Sequence, residues 1–223
     1  MMAVRRVLLV LFMLAWGAFG MAQAQTPRAA PGVPGWTSVG KGCFVWNQSP
    51  SADEIATWTG GCTGQRTSGT GTLIWRAGTV EQRYDGGMQD GRMNGRGLYL
   101  LPDGTRYEGE FKDDDFNGTG VLVEPAGRYE GMWRSGQKNG RGVLTTAAGD
   151  RMEGEFKDDA LEGPATLVLA DGRKFDGIIR NGKPNGAGTL TDPTGSYTGE
   201  WVEGCFNDGS RRAAFATDPA SCN

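Results

Sequence analysis

A period of 22–23 residues runs through this chain, and few folds can carry it. Take the ring or large apolar residue that precedes each x-Gly: Trp58, Tyr84, Tyr107, Tyr129, Met152, Phe175 and Tyr197, spaced 26, 23, 22, 23, 23 and 22 apart. Set each as offset zero. Offset two is then Gly60, Gly86, Gly109, Gly131, Gly154, Gly177 and Gly199. Offset four is large in all but its first member, Cys62: Met88, Phe111, Trp133, Phe156, Ile179 and Trp201. Offset eleven is glycine from Gly69 to Gly186 and breaks at Asp208; offset thirteen is glycine in five of the first six units, with Ala165 the exception. Offset fifteen is Leu73, Tyr99, Leu122, Leu144, Leu167 and Leu190, and offset twenty is glycine from Gly78 to Gly195. A unit this short cannot bury its apolar face alone, so the units must stack into an array.

One unit shows what each repeat does. In Arg106–Phe111, Tyr107, Gly109 and Phe111 fall on one face of a strand and Arg106, Glu108 and Glu110 on the other. Asp113, Asp114 and Asp115 turn the chain, and offset seven is Gly or Asp in six units, residues that tolerate a left-handed backbone. Gly118–Val123 predicts the second strand, and Asp103-Gly104 is a strong hairpin signal before the next unit. Each unit is therefore predicted to be a short hairpin in an antiparallel sheet. Glycine makes up 38 of the 223 residues, more than twice the roughly 7% of average proteins. No G-X-Y period is present, which excludes collagen. Glycine weakens a strand, so its regular recurrence demands a reason: bare backbone leaves room for rings from neighbouring strands.

The run Tyr-x-Gly-x-Phe/Trp, a turn residue at offset seven, Gly-x-Gly and a closing glycine resembles the MORN repeat (membrane occupation and recognition nexus). Arg128–Trp133 through Asn139–Leu144 carries it closely, and the resemblance extends from Trp58 to Asp208, with Met152, Ala165 and the aspartate turns as departures. It implies an all-β fold, an elongated single-layer antiparallel sheet of consecutive β-hairpins. It also implies service as a scaffold, dimerisation surface or adaptor, with lipid binding as an alternative.

Outside the array the chain reads differently. Arg5 and Arg6, the apolar run Val7–Met21 and Ala22-Gln23-Ala24 predict a signal peptide over residues 1–24, cleaved after Ala24. Fifteen apolar residues fall short of the ~20 of a spanning helix. Export to the periplasm, cell envelope or beyond is expected. Pro27, Pro31 and Pro34 mark residues 25–40 as a Pro/Gly-rich linker. An irregular cap over 41–57, an array of about six full units plus a partial one over 58–208, and a tail over 209–223 complete the division. Cys43 and Cys62 bracket the first, irregular unit, and Cys205 and Cys222 the tail. Of the three pairings open to four cysteines, end-local disulfides that staple both ends are expected, because an array keeps its ends far apart.

The chain has no histidine, which removes Ser-His-Asp triads, a His base and His-ligated zinc. Without residues 1–24, 21 basic residues face 26 acidic ones, a poor balance for nucleic acid or anionic lipid. The rings of Tyr84, Tyr107, Phe111, Tyr129, Trp133, Phe156, Phe175, Tyr197 and Trp201 are the candidate face for a peptide, lipid or glycan; the simpler reading makes them the core of a thin sheet. Basic residues at offset minus one (Arg83, Arg106, Arg128, Arg151, Lys174) run beside acidic ones at offset plus one (Asp85, Glu108, Glu130, Glu153, Asp176), predicting a ladder of cross-strand charge pairs or a charged docking surface. Asp113–Asp115 and Asp158-Asp159 lack a calcium-loop pattern and read as turn residues. No catalytic site, metal or cofactor is expected. The sequence points to a non-catalytic scaffold or adaptor that binds a protein partner or itself.

Overall fold

The computed structural model describes residues 35–47 and 53–222. The signal peptide with its cleavage at Ala24, and residues 25–34 of the linker, lie outside the described residues. Apart from one 3-10 turn at Pro219–Ser221, every regular element described is a β-strand. The chain divides into two compact units: unit 1 ends at Gly120 and takes in Arg134–Gln137, while unit 2 holds Val121–Trp133 and everything from Lys138 onward.

Unit 1 contains β1 (Trp36–Gly40), β2 (Cys43–Trp46), β3 (Glu54–Trp58), β4 (Gly61–Thr63), β5 (Arg66–Ala77), β6 (Val80–Gln89), β7 (Arg92–Leu100) and β8 (Arg106–Lys112). The strands β9 (Asp115–Glu124), β10 (Gly127–Arg134) and β11 (Gln137–Thr146) are shared between the two. Unit 2 continues with β12 (Arg151–Lys157), β13 (Ala160–Val168), β14 (Lys174–Arg180), β15 (Lys183–Asp192), β16 (Gly195–Val202), β17 (Cys205–Asn207) and β18 (Arg212–Ala214). From β5 to β8, and again from β11 to β18, each strand pairs antiparallel with the next. The all-β architecture of consecutive hairpins is the one the repeat predicts.

Two local features make each hairpin. At the tight turn both central residues have positive φ, as in Asp90-Gly91 (49° and 77°) and Asp113-Asp114 (52° and 76°), the signature of a type I′ turn whose twist matches the strands. Further along, the second strand carries two extra residues. Gly86 faces Gly97 and Met88 faces Met93, so a two-residue step on β6 spans four residues of β7; β14 and β15 repeat this between Gly177↔Gly188 and Ile179↔Pro184. The surplus centres on the offset-eleven glycine, with φ of 78° at Gly95. This is a β-bulge, which bends the strand. The second strand also begins earlier than predicted, at Asp115 rather than Gly118.

The glycine columns register against one another. Gly71, Gly86, Gly97 and Gly109 face each other strand by strand in unit 1. Gly142, Gly154, Ala165, Gly177, Gly188 and Gly199 do so in unit 2.

The linker expectation over residues 25–40 is corrected at its end: Trp36–Gly40 is a strand paired with β2, Trp36 opposite Trp46. Among the described residues of the cap over 41–57, β2 and the start of β3 are strands too. Its rings explain this, since Trp36 and Trp46 pack edge to face at 5.2 Å, with Arg66 and Arg92 over their faces at 4.3 and 4.5 Å. Both disulfides pair end-locally: Cys43–Cys62 in unit 1 and Cys205–Cys222 in unit 2, Cα–Cα 6.2 and 5.3 Å.

Candidate functional site

The ring column is core. Tyr84, Tyr107, Phe111, Tyr129, Trp133, Phe156, Phe175 and Trp201 are each at most 4% exposed. Only Tyr197 is half-buried, its hydroxyl 2.8 Å from Thr194 Oγ1. The candidate binding face therefore has no open surface at eight of its nine positions, and a glycan or lipid tail has no ring to stack on there. The physical reason is the ring–glycine interlock. A Cβ built on Gly120 would lie 2.5 Å from the Tyr107 ring, and one on Gly131 would lie 2.6 Å from the Tyr129 hydroxyl. The rings of Tyr84, Tyr107, Tyr129 and Phe175 thus each lie over a pair of facing glycines, where no side chain fits.

The ring tips are also fixed. Tyr84, Tyr107 and Tyr129 donate their hydroxyls to the carbonyl three residues on (Gly87, Glu110 and Met132, at 2.8, 3.0 and 3.1 Å). Trp58 donates its indole N–H to Gly61 in the same way, at 2.9 Å. Burial pushes the phenols of Tyr84, Tyr107 and Tyr129 well above the usual tyrosine range, so they remain donors. Successive rings meet edge to face: Tyr84–Phe111 and Tyr129–Phe156 at 5.1 Å, Phe175–Trp201 at 5.3 Å.

Sequence reasoning missed a further buried column at offset nine: Met93, Phe116, Leu161, Pro184 and Phe206. Phe116 stacks on Tyr107 at 3.6 Å. Lys138 takes the same place over Tyr129, its ammonium 5.6 Å from the ring and 3.7 Å from Asp159, a cation–π contact in place of a stacked ring. The signal was present as a periodic large residue, but it lies in the segment read as a turn.

The opposite, outer face carries the charges, and it differs from the expected ladder. The ion pairs of these two columns run along each strand, not across strands: Arg83–Asp85, Arg106–Glu108, Arg128–Glu130, Arg151–Glu153 and Lys174–Asp176. The residues directly opposite on the flanking strands are uncharged, Ile74 and Leu100 beside Arg83 and Thr72 and Leu98 beside Asp85, so the basic and acidic residues two apart on one strand pair with each other. All but the half-buried Asp85 are exposed, so each contributes little, roughly 0–1 kcal/mol. The Arg83 guanidinium nonetheless holds the Asp85 carboxyl below the usual carboxylate range.

The turn aspartates join one repeat to the next. Asp114 is buried, accepts the Met93 N–H at 2.8 Å and pairs with Arg92 at 2.9 Å. Asp159 accepts the Lys138 N–H at 3.0 Å, and Asp158 accepts the Asn139 amide at 2.9 Å. These carboxylates are used up as hydrogen-bond acceptors between hairpins. Their role is structural.

Stacked hairpins with rings interlocked on glycine define a class, the β-hairpin repeat protein. The family model for the MORN repeat matches five consecutive stretches, residues 84–106, 107–125, 129–151, 153–172 and 175–196, and the chain belongs to the MORN repeat family. No curated protein matches the chain. Among solved structures it is similar to the SAS-4 (dCPAP) TCP domain in complex with a proline-rich motif of Ana2 (dSTIL) of Drosophila melanogaster. The identity is 13%, over 82% of this chain and 100% of that one, with a TM-score of 0.36.

Proposed function

We propose that this chain is a non-catalytic repeat scaffold of the bacterial cell envelope that binds a protein partner through the outer face of its hairpins. The observation that carries this reading is the burial of the ring column: what the repeats present to a partner is the polar outer face and the hairpin turns. The MORN repeat is consistent with a scaffold for protein or membrane interaction, and the two disulfides suggest an oxidising, extracytoplasmic compartment. The basic N-terminus and apolar run of residues 1–24 support export. Most acids of the array stand at repeating positions and are tied into ion pairs or inter-hairpin bonds, such as Asp85 with Arg83 and Asp114 with Met93, which supports a structural use for them.

The test is fractionation of cells producing the full chain, followed by crosslinking. The expected result is a polypeptide cut after Ala24, located outside the cytoplasm, without free thiols, and joined to a protein neighbour. A cytoplasmic, uncut and reduced chain would overturn export. A chain that crosslinks to nothing, itself included, would overturn the scaffold.

A further inference from the structure

The outer faces of the two units are not alike. Consider offsets three and twelve, whose side chains point outward beside the glycine row. In unit 1 they are Gly61, Gly87, Glu110, Thr70, Arg96 and Thr119, none of them apolar. In unit 2 the same positions include Met132, Pro164, Ile178 and Ala187. Met132 is 47% exposed, Pro164 and Ala187 are exposed, and Ile178 is half-buried.

These residues border a groove. A depression of about 550 Å³ crosses β11 to β14, lined by Gly142, Gly154 and Gly177, by Val143, Pro164 and Ile178, and by Arg141, Thr166 and Glu153, the last of these paired with Arg151. The glycine row that makes room for rings on one side leaves a trench on the other. Pro164 and Ile178 face each other across strands and form the apolar end of it.

Just beyond that end the charge is unbalanced. Arg180 follows Ile178 by two residues on the same face of β14, and Lys183 is directly opposite Arg180. A like-charged cross-strand pair is destabilising. At the corresponding pairs elsewhere the partners are Gln89 and Arg92, Lys157 and Ala160, and Val202 and Cys205, none of them like-charged. Neither Arg180, Lys183 nor the nearby Lys157 makes an ion pair with any described residue. Of the acids on the neighbouring strands, Glu155 pairs with Arg141 at 3.3 Å, and Glu162 accepts the Asn181 N–H at 3.1 Å without closing an ion pair to Arg180. A trench with an apolar end beside cations that close no ion pair complements a ligand with both characters.

We infer that this groove on unit 2 docks an extended acidic segment of a partner protein, its apolar side chains lying against Pro164, Ile178 and Val143 and its carboxylates at Arg180 and Lys183. The concavity favours a single chain over a flat bilayer surface. This inference rests on the scaffold reading and names the part of the outer face that does the work.

A photo-crosslinking amino acid placed at Ile178 or Pro164 in unit 2, and at Leu98 or Arg106 in unit 1, tests it in the full chain within its native cells. The expected result is adducts from the unit 2 positions alone, mapping to a partner segment that is net acidic with interspersed apolar residues. Replacing Arg180 and Lys183 together by Glu should reduce the adduct yield about tenfold, while Arg106→Glu leaves it unchanged; melting curves confirm that each variant is folded. Adducts from unit 1 alone, or unit 2 adducts to a neutral or basic segment, would overturn the groove assignment and leave the scaffold reading standing. Adducts from no position would overturn both. If the unit 2 positions label lipid, and vesicles containing phosphatidylglycerol bind the wild-type chain but not the Arg180/Lys183 double variant, the site belongs to an anionic bilayer and the peptide reading is wrong.

Discussion

The repeat that begins at Tyr107 and the one that begins at Met152 share an Asp-Asp tight turn with positive φ at both residues but solve the core differently. In the first, Tyr107 covers Gly109 and Gly120 and donates its hydroxyl to Glu110. In the second there is no ring. Its place in the interlock falls to smaller groups: a Cβ on Gly154 would meet the Ala165 methyl at 2.9 Å and Leu161 at 3.0 Å. Met152 and Ala165, two separate departures in the sequence, are thus one structural event. Where the ring is missing, the glycine beneath it is free to become alanine. At offset thirteen the glycine is a requirement of the ring above it, whereas at offset two the facing backbone crowds the position as closely as the ring does.

This comparison can be broken most forcefully at Gly120. Gly120→Ala places a methyl inside the Tyr107 ring, and the unfolding free energy should fall by about 3 kcal/mol, the upper part of the overpacking range. Ala165→Gly in the ringless repeat should cost under about 1 kcal/mol. Equal losses for the two in urea titration would refute the claim that rings impose the glycines. Next in size, Met152→Tyr alone should destabilise by roughly 2 kcal/mol, because the new ring meets the Ala165 methyl. Combined with Ala165→Gly, most of that loss should return, and a double-mutant cycle reads the coupling directly. Additive effects would mean the two departures are independent.

A smaller effect isolates the hydroxyl. Tyr107→Phe strands the Glu110 carbonyl and should cost about 1 kcal/mol, whereas Tyr197→Phe, at a half-buried ring bonded to exposed Thr194, should be near neutral. Thermal melts of the two variants separate a core tie from a surface contact. The smallest effect concerns the inter-repeat tie at Asp114. Burial raises its carboxyl above the ordinary value, although the Met93 N–H and Arg92 pull the other way. The folded state then holds a proton more tightly than the unfolded one. The contribution of Asp114 therefore declines as pH rises from the usual aspartate range, about 3.9, through the elevated one. Asp114→Asn should flatten that part of the stability–pH curve, and an unchanged curve would show that the carboxyl is not perturbed.

Much of this was legible without coordinates because it is local. The hairpin, its turn and the interlock of ring with glycine all follow from spacing, since φ > 0 at a turn and missing side chains beneath a ring leave marks at fixed positions. The buried offset-nine column was not legible, because the two extra residues of the bulge follow it and break the alternation that would have flagged Met93 and Phe116. Nor was the direction of the ion pairs, since Arg106 has acids both two residues along its strand and on neighbouring strands. The burial of the nine candidate rings was equally undecided, as rings on one face of a strand look the same whether that face is open or closed.

By itself, then, the sequence determined the repeating unit and its hairpin form, through backbone chemistry that acts within a few residues, while the end-local cysteine pairs were an expectation drawn from the array. The tertiary structure alone decided which face is closed, which aspartates tie hairpins together and where apolar groups and unpaired cations meet on the outside. Those depend on which strand lies against which, and the bulge sets that register in space.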